Sequence, residues 1–211
     1  MKIALIGANG NAGRVILKEA LLRGHEVTGI VRDISKIESK QDNLKFVEGD
    51  IFDKESICKA IEGNDIVISA FGPKYGNEKG LVDATKNLIN AVKRAGVPRL
   101  LSIGGAGSLL VEEDIKLVET KDFPSDWKPI ALAHGEALEY YKQEKDLNWT
   151  NLSPAAFIEP GKRTGVYRTD EEYLVTDEKD VSHISFEDFA FAMLDEVEKP
   201  KFSGRRFTVG Y

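Results

Sequence analysis

Cysteine is almost absent: Cys58 stands alone in 211 residues, so no internal disulfide can form and nothing calls for an oxidising compartment. It falls in a helical stretch without an activating motif, where a small packed side chain is a better reading than a reactive thiol. The three histidines, His25, His134 and His183, share no ligand spacing, so no metal site is expected. No apolar run approaches the ~20 residues that span a bilayer, and the first strand-like run starts at Lys2, which leaves no room for a secretory signal. Basic clusters are missing as well. With 29 Lys and Arg against 35 Asp and Glu, the net charge is −6, which argues against nucleic acid as a partner. The expectation is a cytoplasmic protein that meets neither membrane nor nucleic acid.

The most informative segment that is present lies at the start. An apolar run, Ile3 to Ile6, leads into Gly7-Ala8-Asn9-Gly10-Asn11-Ala12-Gly13, and Val15, Ile16, Ala20 and Leu21 then recur at helical spacing up to Arg23. After the Gly24 break a second apolar run, Glu26 to Val31, completes a βαβ unit of ~30 residues. A glycine turn opening a helix in that setting holds backbone N–H groups and a helix N-terminus against a pyrophosphate, and Gly10, lacking a Cβ, lets the anion approach. A dinucleotide is therefore the expected ligand, with Gly7, Asn9, Gly10, Asn11, Ala12 and Gly13 about its diphosphate.

Strand-like runs alternate with amphipathic stretches through the first three quarters of the chain. Strands are predicted at Lys2 to Ile6, Glu26 to Val31, Leu44 to Glu48, Ile66 to Ala70, Arg99 to Ile103 and Trp149 to Leu152. Helices are predicted at Ala12 to Arg23, Lys54 to Ile61, Gly80 to Ala95 and Ile130 to Lys145, the third stopped by Gly96 and Pro98. This is the pattern of an α/β Rossmann-type fold, a doubly wound parallel sheet with helices on both faces. Residues 1–211 are expected to form one nucleotide-binding domain, with 157–211 supplying a small C-terminal substrate or lid subregion. That last part shows turn residues and charges, then an amphipathic helix around Phe186 to Val197 and an edge strand at Arg206 to Val209.

In an open parallel sheet, ligands sit beyond the carboxyl ends of the strands. Arg32 follows the second strand, where a guanidinium pairs with the 2′-phosphate of NADP, so NADP(H) is expected over NAD(H). Asp33 weakens that preference, and a solvated Arg–Asp pair is the alternative. Asp50 and Ile51 follow the third strand as an edge and a face for adenine. Ala70, Phe71 and Gly72 follow the fourth, Gly104 and Gly105 the fifth, and Ser153, Pro154 and Ala155 the sixth; these are small or turn-forming residues that let a dinucleotide pass close to the backbone.

Those strand ends, with His25-Glu26-Val27, Asn148-Trp149-Thr150, Pro160-Gly161-Lys162-Arg163-Thr164-Gly165 and Phe207-Thr208-Val209-Gly210, resemble the atypical short-chain dehydrogenase/reductase group. Within it the chain is most similar to the NADH-flavin reductases and the biliverdin-IXβ/flavin reductases, over nearly its whole length. The resemblance implies a Rossmann fold, NAD(P)H as cofactor and a flavin as one hydride acceptor, as a substrate rather than a tightly held group. A likeness to NmrA-like proteins implies the alternative, a redox sensor that turns nothing over and acts on a regulatory protein partner.

Short-chain dehydrogenases commonly use a Ser with Tyr-x-x-x-Lys. Tyr141 and Lys145 have that spacing, but they fall in the distal turns of their helix, so Tyr141 should point away from the nicotinamide. Gly104 or Gly105 occupies the usual Ser position. A carbonyl reductase with that proton relay is disfavoured, as is an epimerase or dehydratase of nucleotide sugars, whereas hydride transfer to a delocalised ring needs mainly stacking and proximity. His134 is the weak catalytic candidate, with a partly buried helix histidine as its alternative. Trp127, His134 and Phe157 are candidates for the pocket of a planar small-molecule acceptor, the alternative for both aromatics being core packing.

Overall fold

The computed structural model describes residues 1–35, 41–73 and 76–211. In chain order the elements are β1 (Lys2–Ile6), α1 (Asn11–Leu22), β2 (Glu26–Val31), β3 (Leu44–Glu48), α2 (Lys54–Ile61), β4 (Ile66–Ser69), α3 (Gly80–Ala95), β5 (Arg99–Ile103), β6 (Leu110–Glu112), β7 (Ile115–Lys116), α4 (Lys128–Gln143), β8 (Asn148–Ser153), β9 (Phe157–Glu159), β10 (Arg168–Asp170), β11 (His183–Ser185), α5 (Phe186–Glu198) and β12 (Arg205–Gly210). Eight strands form one sheet in the order β10-β12-β8-β5-β4-β1-β2-β3. All its pairings are parallel except β10 on β12. The chain runs from β1 to one edge through β2 and β3, then returns to β4 on the other side. The crevice for a ligand therefore opens between β1 and β4.

The central strands are apolar on both faces because both faces are covered. Ile3, Leu5, Ile66 and Ile68 point into a core shared with Ile16 and Ala20 of α1 and Phe189 and Met193 of α5. Their neighbours Ala4, Ile6 and Val67 point the other way, against Ile57 of α2, Leu88 and Val92 of α3 and Leu138 of α4. A period of two along each strand thus feeds two cores, and this is why the runs carry no polar alternation.

Helix ends follow local chemistry. Asp53 caps α2 by accepting from the amides of Glu55 and Ser56 at 3.0 and 3.1 Å, and Ser185 caps α5 by accepting from Asp188 N at 3.0 Å. Gly96 ends α3 in the left-handed region at φ +66°.

The C-terminal quarter differs from expectation. The strand expected at an edge, β12, lies inside the sheet with Phe207 and Val209 buried, and β10 forms the edge. β10 is three exposed residues, Arg168, Thr169 and Asp170, too short and polar to show a strand period. α5 joins α1 in a helix layer, and the turn at 160–165 is tied down by Asp188. This buried carboxylate accepts from Thr164 N and Gly165 N at 2.8 Å and from the Thr164 and Tyr211 hydroxyls at 2.6 Å. Burial alone would raise its pKa, but these hydrogen bonds outweigh that and hold it below the ordinary Asp value. Arg163 of the same turn reaches Glu19 on α1 at 2.7 Å, and Arg23 holds the same buried carboxylate at 2.7 Å.

A Cβ built on Gly13 would lie 2.0 Å from the Gly7 carbonyl oxygen, whereas one on Gly72 meets nothing within 4 Å. Urea unfolding should show Gly13→Ala losing more than about 3 kcal/mol, despite the helix propensity that alanine adds. Gly72→Ala should stay within about 0.5 kcal/mol of the parent.

Candidate functional site

The first strand end is shaped by contacts that tolerate no side chain. Gly7 has φ +75°, and a Cβ there would sit 2.8 Å from the Ala70 carbonyl oxygen at the end of β4. Its amide donates to Ile30 O at 3.2 Å, so the turn is pinned between β2 and β4. Gly13 closes α1 onto that turn. Gly10, by contrast, is exposed, and its nearest contact for a Cβ is Gly7 O at 3.3 Å. Gly7 and Gly13 are thus demanded by packing, while Gly10 leaves open the space in front of the helix. α1 starts without a capping side chain and without an acidic residue in its first turn, so the amides of Asn11, Ala12 and Gly13 face the crevice mouth with no competing carboxylate. That cradle fits a diphosphate.

Arg32, at the end of β2, is exposed and has no ion-pair partner among the described residues. Asp33 turns instead to Ser35, accepting from its amide at 2.9 Å and its hydroxyl at 2.6 Å, and those bonds hold its carboxyl below the usual range. The alternative of a solvated Arg32–Asp33 pair is therefore not what forms. After β3, Asp50 accepts from Phe52 N at 3.0 Å. Ile51 is buried in the second core, so its side chain does not offer the open aliphatic face expected for adenine. Phe52 and Phe71 meet edge to face at 5.7 Å beside it.

On the other side, the loop after β5 lies directly on α4. A Cβ on Gly105 would fall 2.7 Å from His134 Cβ, and one on Gly107 2.6 Å from Ala131 Cβ. A Cβ on Gly104 would strike Asn151 Oδ1 at 2.2 Å. Ser153 and Ala155 are buried, so they offer the crevice backbone rather than side chains, and Pro154 is half-buried between them.

These strand ends border a cavity of about 380 Å³, lined by Gly104, Gly105, Trp127, His134, Ala155 and Phe157. The structure brings together all three residues expected to line an acceptor pocket. Trp127 and Phe157 are 48% and 54% exposed and meet edge to face at 6.2 Å, so core packing does not account for them. The far wall comes from Leu117, Thr120 and Phe123, which sequence reasoning missed. The one available signal was the length of the segment between Ile103 and α4, since long connections are commonly functional.

Burial pushes the His134 imidazole down to about 4, so it is neutral near pH 7 and cannot serve there as an imidazolium acid. Tyr141 is 3% exposed and packs on Trp149 at 5.7 Å. It does not line the 380 Å³ cavity. Lys145 lies beyond the end of α4 and is exposed. The Tyr-x-x-x-Lys spacing therefore builds no proton relay at the cavity. Among the described residues no His, Cys, Asp and Glu group could hold a metal, and no helix is long and apolar enough to cross a membrane.

With this geometry in place, residues 7–200 match the family model described as NAD(P)H-binding. The chain belongs to the NAD(P)H-binding family. Relatives of known structure superpose over the full length. A provisionally named exported protein from Burkholderia pseudomallei is 42% identical, with a TM-score of 0.92 and 100% of both chains covered. A provisionally named epimerase from Bacteroides thetaiotaomicron is also 42% identical, with a TM-score of 0.93, covering 100% of this chain and 96% of its own. A provisionally named NADH-flavin reductase from Streptococcus pneumoniae TIGR4 is 37% identical, with a TM-score of 0.89, covering 100% and 99%. The three names differ, so the NAD(P)H-binding family assignment carries cofactor and fold but not the acceptor.

The His134 shift has a thermodynamic signature. Between about pH 4 and the ordinary value of 6.5, the unfolded chain binds a proton that the folded chain does not, so stability falls as pH drops through that window. At 1.36 kcal/mol per pKa unit, the loss attributable to this group is on the order of 3 kcal/mol. Urea unfolding at pH 7 and pH 4.5 should show the parent losing more stability than His134→Gln. Equal losses would show the imidazole to be solvated.

Proposed function

We propose that the protein is an NAD(P)H-dependent reductase that delivers hydride to a planar conjugated acceptor of the flavin or quinone type. One observation carries this reading: an apolar cavity, with Trp127 and Phe157 held half-exposed at its rim, adjoins the ends of β5 and β8. Two half-exposed rings offer stacking surfaces to a flat molecule, and orientation against the coenzyme supplies most of what hydride transfer to a delocalised ring requires. The residues proposed to hold the coenzyme are Gly7, Asn9, Gly10, Asn11, Ala12 and Gly13 at the diphosphate, Arg32 at the adenosine ribose, Asp50 beside the adenine, and the backbone at Ala70, Phe71, Gly72, Gly104, Gly105 and Ser153 to Ala155 along the crevice.

An epimerase of nucleotide sugars is disfavoured because no phenol–lysine pair reaches the cavity. A sensor of the NmrA-like kind would need no second cavity at all, and the 380 Å³ space beside the nucleotide crevice favours turnover. A reducing cytoplasm suits the single cysteine, although the exported name of the Burkholderia relative points the other way.

Two measurements test this. Purified protein with NADPH should accelerate reduction of riboflavin, FMN or a naphthoquinone, followed as loss of reduced-nicotinamide absorbance. Binding of NADP⁺ without acceleration for any acceptor removes the reductase reading. In calorimetry NADPH should bind more tightly than NADH, and Arg32→Ala should narrow the gap by about tenfold, the effect of losing one charge-assisted contact of roughly 1.4 kcal/mol. Equal affinities in the parent would overturn the assignment of Arg32.

A further inference from the structure

Behind the acceptor cavity lies a second, much smaller space of about 20 Å³, lined on its polar side by Ser69, Thr85, Ser102, Asn151 and Tyr141. A space of that size holds one water, and a buried water needs two to four polar partners, which this lining supplies. The polar groups are already organised around it: Asn151 Nδ2 donates to Ser102 Oγ at 2.8 Å, and Thr85 Oγ1 donates to Leu81 O at 2.9 Å. No side chain of the coenzyme crevice's glycine turn reaches this chamber. His134 is the residue common to the walls of the chamber and of the acceptor cavity. Its ring makes no hydrogen bond with another described side chain or backbone group, and Gly105 packs against its Cβ and ring, which fixes the ring as a partition between the two spaces.

This rests on the reductase reading. We propose that His134 donates a hydrogen bond to a carbonyl oxygen of the bound acceptor, and that one water in the polar chamber fixes which ring nitrogen carries the proton. The inner nitrogen accepts from that water, which leaves the N–H on the outer nitrogen, facing the cavity. When bound, NAD(P)H would supply a hydride, carrying two electrons, to the acceptor ring. As that bond forms, the displaced electron pair of the acceptor moves onto its conjugated carbonyl oxygen. The His134 N–H stabilises the charge developing there, and solvent later protonates the oxygen, so His134 ends in the state in which it began. The acceptor class follows: a flat molecule with a carbonyl conjugated to the hydride-accepting atom, as in isoalloxazines and quinones. A sugar alcohol or an isolated ketone requiring an acid would not be served.

The test uses the full chain with NADPH and either riboflavin or 1,4-naphthoquinone. His134→Phe keeps a flat ring and removes the donor; kcat should fall about tenfold to a hundredfold, with the NADP⁺ dissociation constant in calorimetry unchanged within about twofold. His134→Gln restores an N–H and should recover kcat to within about threefold of the parent, a rescue that a packing role would not produce. Independently of turnover, ¹⁵N shifts of the labelled parent with NADP⁺ should show His134 in one tautomer, and Tyr141→Phe or Ser102→Ala should convert it to a mixture. An unchanged kcat in His134→Phe overturns the donor role, and identical ¹⁵N shifts in parent and chamber variants overturn the water. If His134→Phe does not bind NADP⁺, the comparison of His134→Gln with the ¹⁵N tautomer decides in its place. A parent that binds NADP⁺ but reduces neither acceptor sinks the reductase reading and the donor role with it, and the ¹⁵N result then decides the chamber water alone.

Discussion

The contact on which the site depends is the passage of Gly13 over the Gly7 carbonyl, too close for any side chain. It presses the start of α1 onto the end of β1 and thereby decides where the helix amides point. Gly7 repeats the demand one layer deeper, against Ala70 just past β4. Two glycines thus set the width of the gap at which strand order reverses, and that gap is where a diphosphate meets unpaired N–H groups. The backbone conformation of Gly7 costs entropy on folding. What it provides is a fixed anion cradle that owes nothing to charged side chains.

How much of this was legible in the sequence depends on the range of the forces involved. β1, β2 and β5 coincide with the apolar runs, because a strand buried on both faces has no choice of composition, and the edge strand β3 kept enough apolar character in Leu44, Phe46 and Val47 to be read as well. The glycine turn was legible because Gly13 packs on the nearby Gly7 carbonyl, a local contact, although the demand at Gly7 comes from the distant Ala70. β10 was not, since three exposed polar residues carry no period, and its assignment turns on β12 pairing beside it. The misplacement of β12 at an edge follows from that. The acceptor cavity was half legible. Trp127, His134 and Phe157 were picked out as chemistry, but whether Trp127 faces solvent or core depends on how the long segment before α4 folds back, which no local pattern encodes. Ile51 is the opposite case, an apolar residue at a strand end that the core claimed.

Tyr141 shows how spacing misleads when its place in the helix is ignored. A phenol four residues before a lysine suggests a catalytic pair, yet Tyr141 sits in the far part of α4 and Lys145 beyond its end. The phenol turns inward toward Ser102 and Thr85, where burial outweighs their hydrogen-bonding help and raises its pKa above the ordinary value. A residue type borrowed for proton chemistry elsewhere here supports the floor behind His134. Polar groups in such a place are expensive unless paired, and Ser102 and Asn151 pair with each other at 2.8 Å on the back of the acceptor cavity.

The two outer strands of the sheet bear on how the protein behaves in concentrated solution. β10 is short, with Arg168 and Asp170 exposed, and β3 at the opposite border exposes Lys45 and Glu48. A foreign strand seeking unpaired amides finds three residues on one border and charges on both. An apolar sheet edge is a template for strand-to-strand self-assembly, and ionic side chains at both borders disfavour it.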